Sequence, residues 1–155
     1  MSTRLGSCLL VIGLVLTGVS WTGAQEPPFE AIAAGLQHVV GQAEAKAVVV
    51  TDRFANAEGV RGVASSLGVR ALKRAEVVQC SEDRKSCRIV GPEKRLISLR
   101  EAKSVGADVV LSLVISTQVE SSDGSAQLFP TLREITLARV DGRWRVTGDQ
   151  VVMQR

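Results

Sequence analysis

Residues 109–119 read Val109-Val110-Leu111-Ser112-Leu113-Val114-Ile115-Ser116-Thr117-Gln118-Val119, an alternation of apolar and polar side chains. The odd positions form a nearly unbroken apolar row, while serine and glutamine occupy most even positions. Successive side chains of a strand point to opposite faces of a sheet, so this period of two predicts a long, half-buried strand.

A hairpin is predicted to follow this strand. Asp123-Gly124 turns the chain, and Pro130 marks the start of the next segment as an edge or a bulge, because proline cannot donate to a strand ladder. Residues 132–140 form another strand, and Asp141-Gly142 is typical of a two-residue hairpin turn. The expected register pairs Val140 with Arg143, Arg139 with Trp144, Leu137 with Val146, and Thr136 with Thr147.

The first half of the chain is predicted to be mainly helical. Residues 29–42 carry apolar side chains at helical spacing, with Pro28 in the first turn. The β-branched run over residues 45–52 indicates a strand covered on both faces. Asn56 caps a second helix, which ends at Gly68.

Two shorter features lie in the middle of the chain. Residues 76–80 and 87–90 have the pattern of two hairpin arms around a polar loop. Ser98-Leu99-Arg100-Glu101 has the form of a capping box, which predicts a short helix ending at Gly106.

Helices early and antiparallel strands late predict an α+β fold. We expect N-terminal helices packed on one face of a curved, mainly antiparallel sheet, which closes with a C-terminal β-hairpin. The chain has 155 residues, 45% of them hydrophobic, and neither an internal repeat nor a linker divides it. Residues 25–155 are therefore predicted to form a single domain.

Residues 1–24 have the pattern of a secretory signal peptide. Arg4 provides the positive end, residues 9–16 the apolar run, and Thr22-Gly23-Ala24 the small residues of a cleavage site. The alternative is an uncleaved N-terminal anchor, which would be the chain's one route to a membrane. We expect cleavage and an extracytoplasmic location, either secreted or periplasmic.

Cleavage would leave two cysteines, Cys80 and Cys87. In an oxidising compartment, two cysteines at this spacing favour a disulfide across the end of a hairpin. Two free thiols or half of a metal site are the alternatives, although the sequence has no C-x-x-C pair and only one histidine to complete such a site.

The composition excludes several kinds of site. A single histidine, His38, rules out zinc sites built on two histidines. Three phenylalanines, two tryptophans and no tyrosine make stacking platforms for sugars or bases a poor fit. Glycine-rich phosphate loops and a G-x-S-x-G elbow are absent from the sequence. We predict no cofactor, no metal and no catalytic residue.

Positive charge is concentrated in residues 61–103, which hold 11 basic and 5 acidic residues although the net charge of the chain is only +3. Such a cluster could bind an anionic envelope component or a protein partner, whereas export and scarce aromatics disfavour nucleic acid. A solvated surface is the simpler alternative. The candidate anion-binding residues are Arg84, Lys85, Arg88, Lys94 and Arg95.

Four other residues are weighed as site candidates. His38 has no helical neighbour able to orient it as a base, so a surface histidine is favoured. Asp52 follows an apolar strand, where α/β enzymes place carboxylates, but a strand-end cap or an ion pair with Arg53 is the simpler interpretation. Trp144 is expected to anchor the hairpin with Arg139 against its ring; a sheet-face pocket near Asp52, Arg139 and Trp144 is the alternative.

The closing segment Leu137-Ala138-Arg139-Val140-Asp141-Gly142-Arg143-Trp144-Arg145-Val146 resembles the last hairpin of small bacterial exported proteins and of NTF2-like and cystatin-like α+β folds. The resemblance implies a bacterial extracytoplasmic location and a sheet with packed helices, and it carries over no catalytic residue. The sequence as a whole predicts an exported, non-catalytic binding or accessory module of the cell envelope. A small-ligand-binding or hydrolytic domain with a pocket near Asp52 or Trp144 is the alternative.

Overall fold

The computed structural model describes residues 26–43, 46–83 and 85–154. The predicted signal peptide and Arg84 lie outside these ranges. The described elements are, in chain order, α1 (Phe29–Gly41), β1 (Ala47–Val50), α2 (Ala57–Ser66), β2 (Arg70–Leu72), α3 (Arg74–Val77), β3 (Val78–Cys80), β4 (Cys87–Ile89), β5 (Arg95–Val105), β6 (Asp108–Glu120), β7 (Ala126–Val140) and β8 (Arg143–Gln154).

The strands form a six-stranded mixed sheet in the order β2-β1-β5-β6-β7-β8, with β3 and β4 as a separate antiparallel pair. β1 runs parallel to both β2 and β5, whereas β5 to β8 pair in antiparallel fashion. Parallel neighbours need a crossover connection, and α2 supplies the one between β1 and β2. The fold is therefore mixed α+β and mostly sheet; the sequence pattern did not reveal β2 or the parallel pairings.

The larger core lies between the sheet and the helices α1 and α2. Val109, Leu111 and Leu113 of β6 are at most 1% exposed, as the apolar row predicts, whereas Val119 at the far end of that row is 49% exposed. α1 packs on this face so closely that a methyl group added at Gly35 would overlap Leu111 Cδ1. The interior position of β6 also buries Ser112 on its other face.

A smaller core lies on the opposite face of β1. Val48 and Val50 of β1 pack there with Val77, Ile89 and Leu96, while Ala47 and Val49 belong to the larger core. The β-branched run is therefore covered on both faces, as predicted. The second helix is also confirmed, since the Asn56 Oδ1 accepts a hydrogen bond from the Gly59 backbone nitrogen at 2.8 Å.

The helix predicted from the capping box at Ser98–Glu101 is wrong, because these residues lie in the long strand β5. Leu96, Ile97 and Leu99 are buried between β1 and β6, and this burial outweighs a local capping signal. The strand ladder shifts between Leu99 and Glu101, which leaves Arg100 as the extra residue of a β-bulge.

The closing hairpin has the predicted register near its turn, with Val140 opposite Arg143 and Arg139 opposite Trp144. The predicted pairing of Thr136 with Thr147 is wrong: a bulge intervenes, and Thr136 lies opposite Gly148. β7 begins earlier than predicted, at Ala126, and its first residues extend beyond the end of β8. Pro130 therefore lies in a part of β7 that has no described partner on the β8 side. Such an edge position tolerates the backbone N–H that proline lacks.

The predicted disulfide between Cys80 and Cys87 is confirmed. These residues face each other across the β3–β4 ladder with a Cα–Cα distance of 4.0 Å. The bridge closes the polar loop between the two strands. Within the described ranges, the structure contains no helix long and apolar enough to cross a membrane.

Candidate functional site

A cavity of about 610 Å³ opens at the carboxyl ends of the parallel strands β1 and β2. Parallel strands bring the residues that follow them to the same edge of a sheet, which is where open α/β sheets bind ligands. The chain therefore places residues 52–53 beside residue 74. The lining residues are Val50, Asp52, Arg53, Arg74, Ser98, Leu99, Arg100 and Val114.

Backbone hydrogen bonds fix the positions of the charged lining residues. The Thr51 backbone nitrogen donates to the Leu72 carbonyl at 2.9 Å, so the pairing continues past the end of β1. The backbone nitrogen of Arg74, the first residue of α3, then donates to the Asp52 carboxylate at 2.6 Å. Asp52 thus caps α3 from the neighbouring strand end, and it makes no ion pair with Arg53 in the described structure.

The three arginines of this cavity carry uncompensated charge. Arg53, Arg74 and Arg100 are exposed, and their guanidinium groups make no ion pair or hydrogen bond with any residue that the structure describes. Asp52 is the only carboxylate among the lining residues. The cavity therefore holds three positive charges against one negative charge, and a guanidinium group matches a carboxylate or phosphate in two-point hydrogen bonding.

The floor of the same cavity is apolar. Val50 and Leu99 are 5% and 7% exposed, and Val114 of β6 is half-buried beside them. Arg100, the extra residue of the bulge in β5, lies at the rim although it directly follows the floor residue Leu99. β-Bulges commonly redirect a side chain in this way. A cationic rim over an apolar floor suits a ligand that has an anionic group attached to a hydrocarbon portion.

Six other basic side chains among the described residues form ion pairs with carboxylates, whereas seven, like the three cavity arginines, form none. Arg70 donates two hydrogen bonds of 2.6 Å to the carboxylate of Glu93, whose side chain is only 6% exposed. The hydrogen bonds from Arg70 hold the pKa of Glu93 below its ordinary value, against the opposing effect of burial. This pair joins β2 to the segment before β5, so its function is structural.

The predicted anion-binding residues are not gathered in this cavity. Arg84 lies outside the described residues, Lys85 lies 3.7 Å from Asp83, and Lys94 pairs with Glu120 at 2.5 Å. Arg88 donates to the Gln79 side chain at 2.8 Å beside the disulfide. Arg95 is half-buried in β5, with its Nε shielded from solvent and without a partner among the described residues.

The predicted pocket residues are divided between two cavities. Asp52 lines the one described above, whereas Arg139 and Trp144 line a second cavity of about 530 Å³ between α1 and the turn of the closing hairpin. Trp144 is half-buried and packs against the larger core. Arg139 donates to the Gly142 carbonyl at 3.3 Å, and Glu30 adds a negative charge to this cavity.

His38 lies in a separate polar cluster at the end of α1. Its Nε2 lies 2.7 Å from Asp149 Oδ2, and Arg133 donates two hydrogen bonds of 2.6 Å to the same carboxylate. Hydrogen bonds from Arg133, followed by the one from His38, hold the pKa of Asp149 below its ordinary value. This cluster ties α1 to β7 and β8, and His38 does not line the cavity of Asp52.

Nothing in the sequence pattern groups Arg53, Arg74 and Arg100 as a set. All three were visible as basic residues, but the parallel pairing of β1 and β2 and the bulge in β5 are what bring them together. Within the described ranges, no group of three or more histidine, cysteine or acidic side chains is arranged to hold a metal ion.

No protein family model matches the chain, and comparisons with curated proteins and with solved structures find no significant similarity. The class of protein is therefore defined by the fold and the site alone. It is a mixed α+β domain with an arginine-rimmed, apolar-floored cavity at the carboxyl ends of its parallel strands.

Proposed function

We propose that the chain is an exported, non-catalytic binding protein that holds an anionic ligand in the cavity rimmed by Arg53, Arg74 and Arg100. The observation that carries this proposal is the charge of that cavity: three arginines whose guanidinium groups have no described partner, and only one carboxylate, line it together with apolar side chains. Arginines left unpaired beside one another repel, and an anion bound among them relieves that repulsion.

The contacts of Asp52 favour binding over hydrolysis. Its carboxylate already accepts the Arg74 backbone nitrogen, so it acts as a cap that shapes the cavity. The sole histidine of the sequence is hydrogen-bonded to Asp149 in another part of the fold. A hydrolase would need a base and a nucleophile converging on one ligand, and His38 does not line the cavity that Asp52 lines.

Export is supported by two observations of different kinds. The first 24 residues have the pattern of a signal peptide, and the disulfide between Cys80 and Cys87 suits an oxidising compartment. We therefore propose that the ligand is an anionic component of the cell envelope or the surrounding medium.

The proposal is tested by measuring octanoate binding calorimetrically, in wild type and in a variant with Arg53→Gln, Arg74→Gln and Arg100→Gln. We expect the triple variant to bind at least about tenfold more weakly, because each charge-assisted hydrogen bond contributes on the order of 1.5–3 kcal/mol. A control variant with Arg61→Gln, Arg88→Gln and Arg145→Gln loses the same charge outside the cavity. Equal loss in both variants would show non-specific electrostatic attraction and contradict the proposal.

A further inference from the structure

A third, smaller cavity adjoins the arginine-rimmed one. It has a volume of about 330 Å³ and is lined by Arg100, Val114, Pro130, Leu132 and Met153. Arg100 and Val114 line both cavities, so the two adjoin at these residues, and together they are called the trough below.

The strand register explains the direction of this trough. Ser98 of β5 pairs with Val114 of β6, Val114 pairs with Leu132 of β7, and Leu132 pairs with Met153 of β8. Directly paired residues share a face of the sheet, so these side chains form a row perpendicular to the strands. Three strand spacings give the row a length of roughly 14 Å.

The chemistry changes along this row. At one end lie Arg53, Arg74 and Arg100, and beyond Arg100 the lining side chains are apolar. Val114 and Leu132 are half-buried, and Met153 is 44% exposed although it is a large apolar side chain. A charged end followed by an uncharged apolar path matches a molecule with one anionic head and one hydrocarbon tail.

We propose that the trough binds a free single-chain anionic amphiphile of the fatty-acid type. The head group lies among the three arginines, and the tail lies over Val114 and Leu132 toward Met153. This inference rests on the proposed function, because it assigns the tail of the ligand whose anionic head that function requires. A single chain is favoured over a two-chain lipid because Arg100 and Val114, the residues that line both cavities, mark one path between them.

The test is a calorimetric titration of the full chain with butyrate, hexanoate, octanoate and decanoate, each below its micelle concentration. We expect the Kd to fall by about twofold per methylene, since full burial of a methylene gives about fourfold and the trough covers one side of the tail. Leu132→Ser should reduce this dependence on chain length and leave butyrate affinity unchanged.

Met153→Ser is a second variant, chosen because Met153 is exposed enough for the fold to tolerate the change. This substitution should remove only the additional affinity that the longest acids gain from their terminal methylenes. Val151→Ser is the matched control, because Val151 is 59% exposed on the opposite face of the same strand. This control should leave every affinity unchanged.

The outcomes separate the two proposals. Binding that depends on the three arginines but not on chain length would overturn the tail assignment and leave the proposed function intact. Chain-length dependence that neither Leu132→Ser nor Met153→Ser reduces would also overturn it. Binding to phosphatidylglycerol vesicles without binding to monomeric decanoate would show a membrane-docking surface instead. Failure of every acid to bind would overturn both proposals.

Discussion

The Asp52 carboxylate accepts a hydrogen bond of 2.6 Å from the backbone nitrogen of Arg74, joining the end of β1 to the start of α3. This contact places Arg53 and Arg74, which lie 21 positions apart in the sequence, on the rim of one cavity. The geometry of the proposed anion site therefore depends on a cap between two neighbouring strand ends.

Replacing Asp52 should separate its structural contribution from its charge. Asp52→Ala removes the acceptor and should lower the free energy of unfolding by about 1 kcal/mol, the typical cost of a lost helix cap. Asp52→Asn keeps an acceptor oxygen and should lose less stability. Because it removes the negative charge of the cavity, it should also strengthen octanoate binding. Urea denaturation and calorimetry measure the two effects. Weaker octanoate binding by Asp52→Asn would contradict a purely capping role.

The close approach of α1 to β6 should make Gly35 intolerant of a side chain. Gly35→Ala places a methyl group against the buried Leu111 and should cost about 1–3 kcal/mol through overpacking. Gly62→Ala is the control, because no atom lies within 4 Å of its added methyl group in the exposed part of α2. It should stabilise the protein by about 0.5–1 kcal/mol through helix propensity. Equal effects of the two alanine substitutions on the urea midpoint would contradict this close packing of α1 on β6.

The ion pair between Arg70 and Glu93 should give a defined pH dependence. Hydrogen bonds from Arg70 lower the pKa of Glu93 in the folded state, so the folded carboxylate is stabilised relative to the unfolded one. This contribution is present above the unfolded pKa and is lost as the pH falls through the folded pKa, in the acid range below about pH 5.

Glu93→Gln measures that contribution. Because Arg70 is 46% exposed, we expect solvent screening to limit the loss of stability at neutral pH to about 1 kcal/mol. The difference from wild type should shrink as the solution is acidified. Glu58→Gln, which breaks the exposed pair with Arg61, should cost less than about 0.5 kcal/mol. A difference between Glu93→Gln and wild type that stays constant from pH 7 to about pH 3 would be incompatible with this linkage.

The loop closed by Cys80 and Cys87 is short, so its disulfide should stabilise the fold only modestly. The loop-closure relation gives about 2 kcal/mol for a loop of this size. We expect reduction to lower the thermal unfolding midpoint, while the folded protein retains its far-ultraviolet circular dichroism. Unfolding on reduction at room temperature would show that the bridge holds the core as well as the β3–β4 hairpin.

Local patterns in the sequence predicted those elements in which the spacing of the side chains alone determines the conformation and the buried face. The alternation over residues 109–119, the β-branched run in β1 and the cap at Asn56 are all found in the structure. The signal at Ser98–Glu101 failed because β5 forms between two other strands, and pairing with those strands decides its conformation.

The candidate site was less predictable because distant pairings create it. The sequence marks Asp52 as a carboxylate at the end of a strand. Its partner Arg74 follows β2, a strand of three residues without a clear alternation of apolar and polar side chains. The contact of His38 with Asp149 likewise joins residues 111 positions apart. Of the basic residues singled out from the sequence, Lys85 and Arg88 lie at the β3–β4 hairpin and Lys94 and Arg95 at the start of β5. The cavity is rimmed by Arg53, Arg74 and Arg100 instead.

The most direct test of the proposed ligand site is a titration of the ¹⁵N-labelled protein with octanoate, followed by two-dimensional NMR. We predict saturable shifts centred on the backbone amides of Arg53, Arg74, Arg100 and Val114. The indole resonance of Trp144, which lines the cavity between α1 and the closing hairpin, should not move. The triple variant with Arg53→Gln, Arg74→Gln and Arg100→Gln should lose the saturable shifts. Shifts centred on Trp144, or no saturable shift at any resonance, would contradict the assignment of the anion site to this cavity.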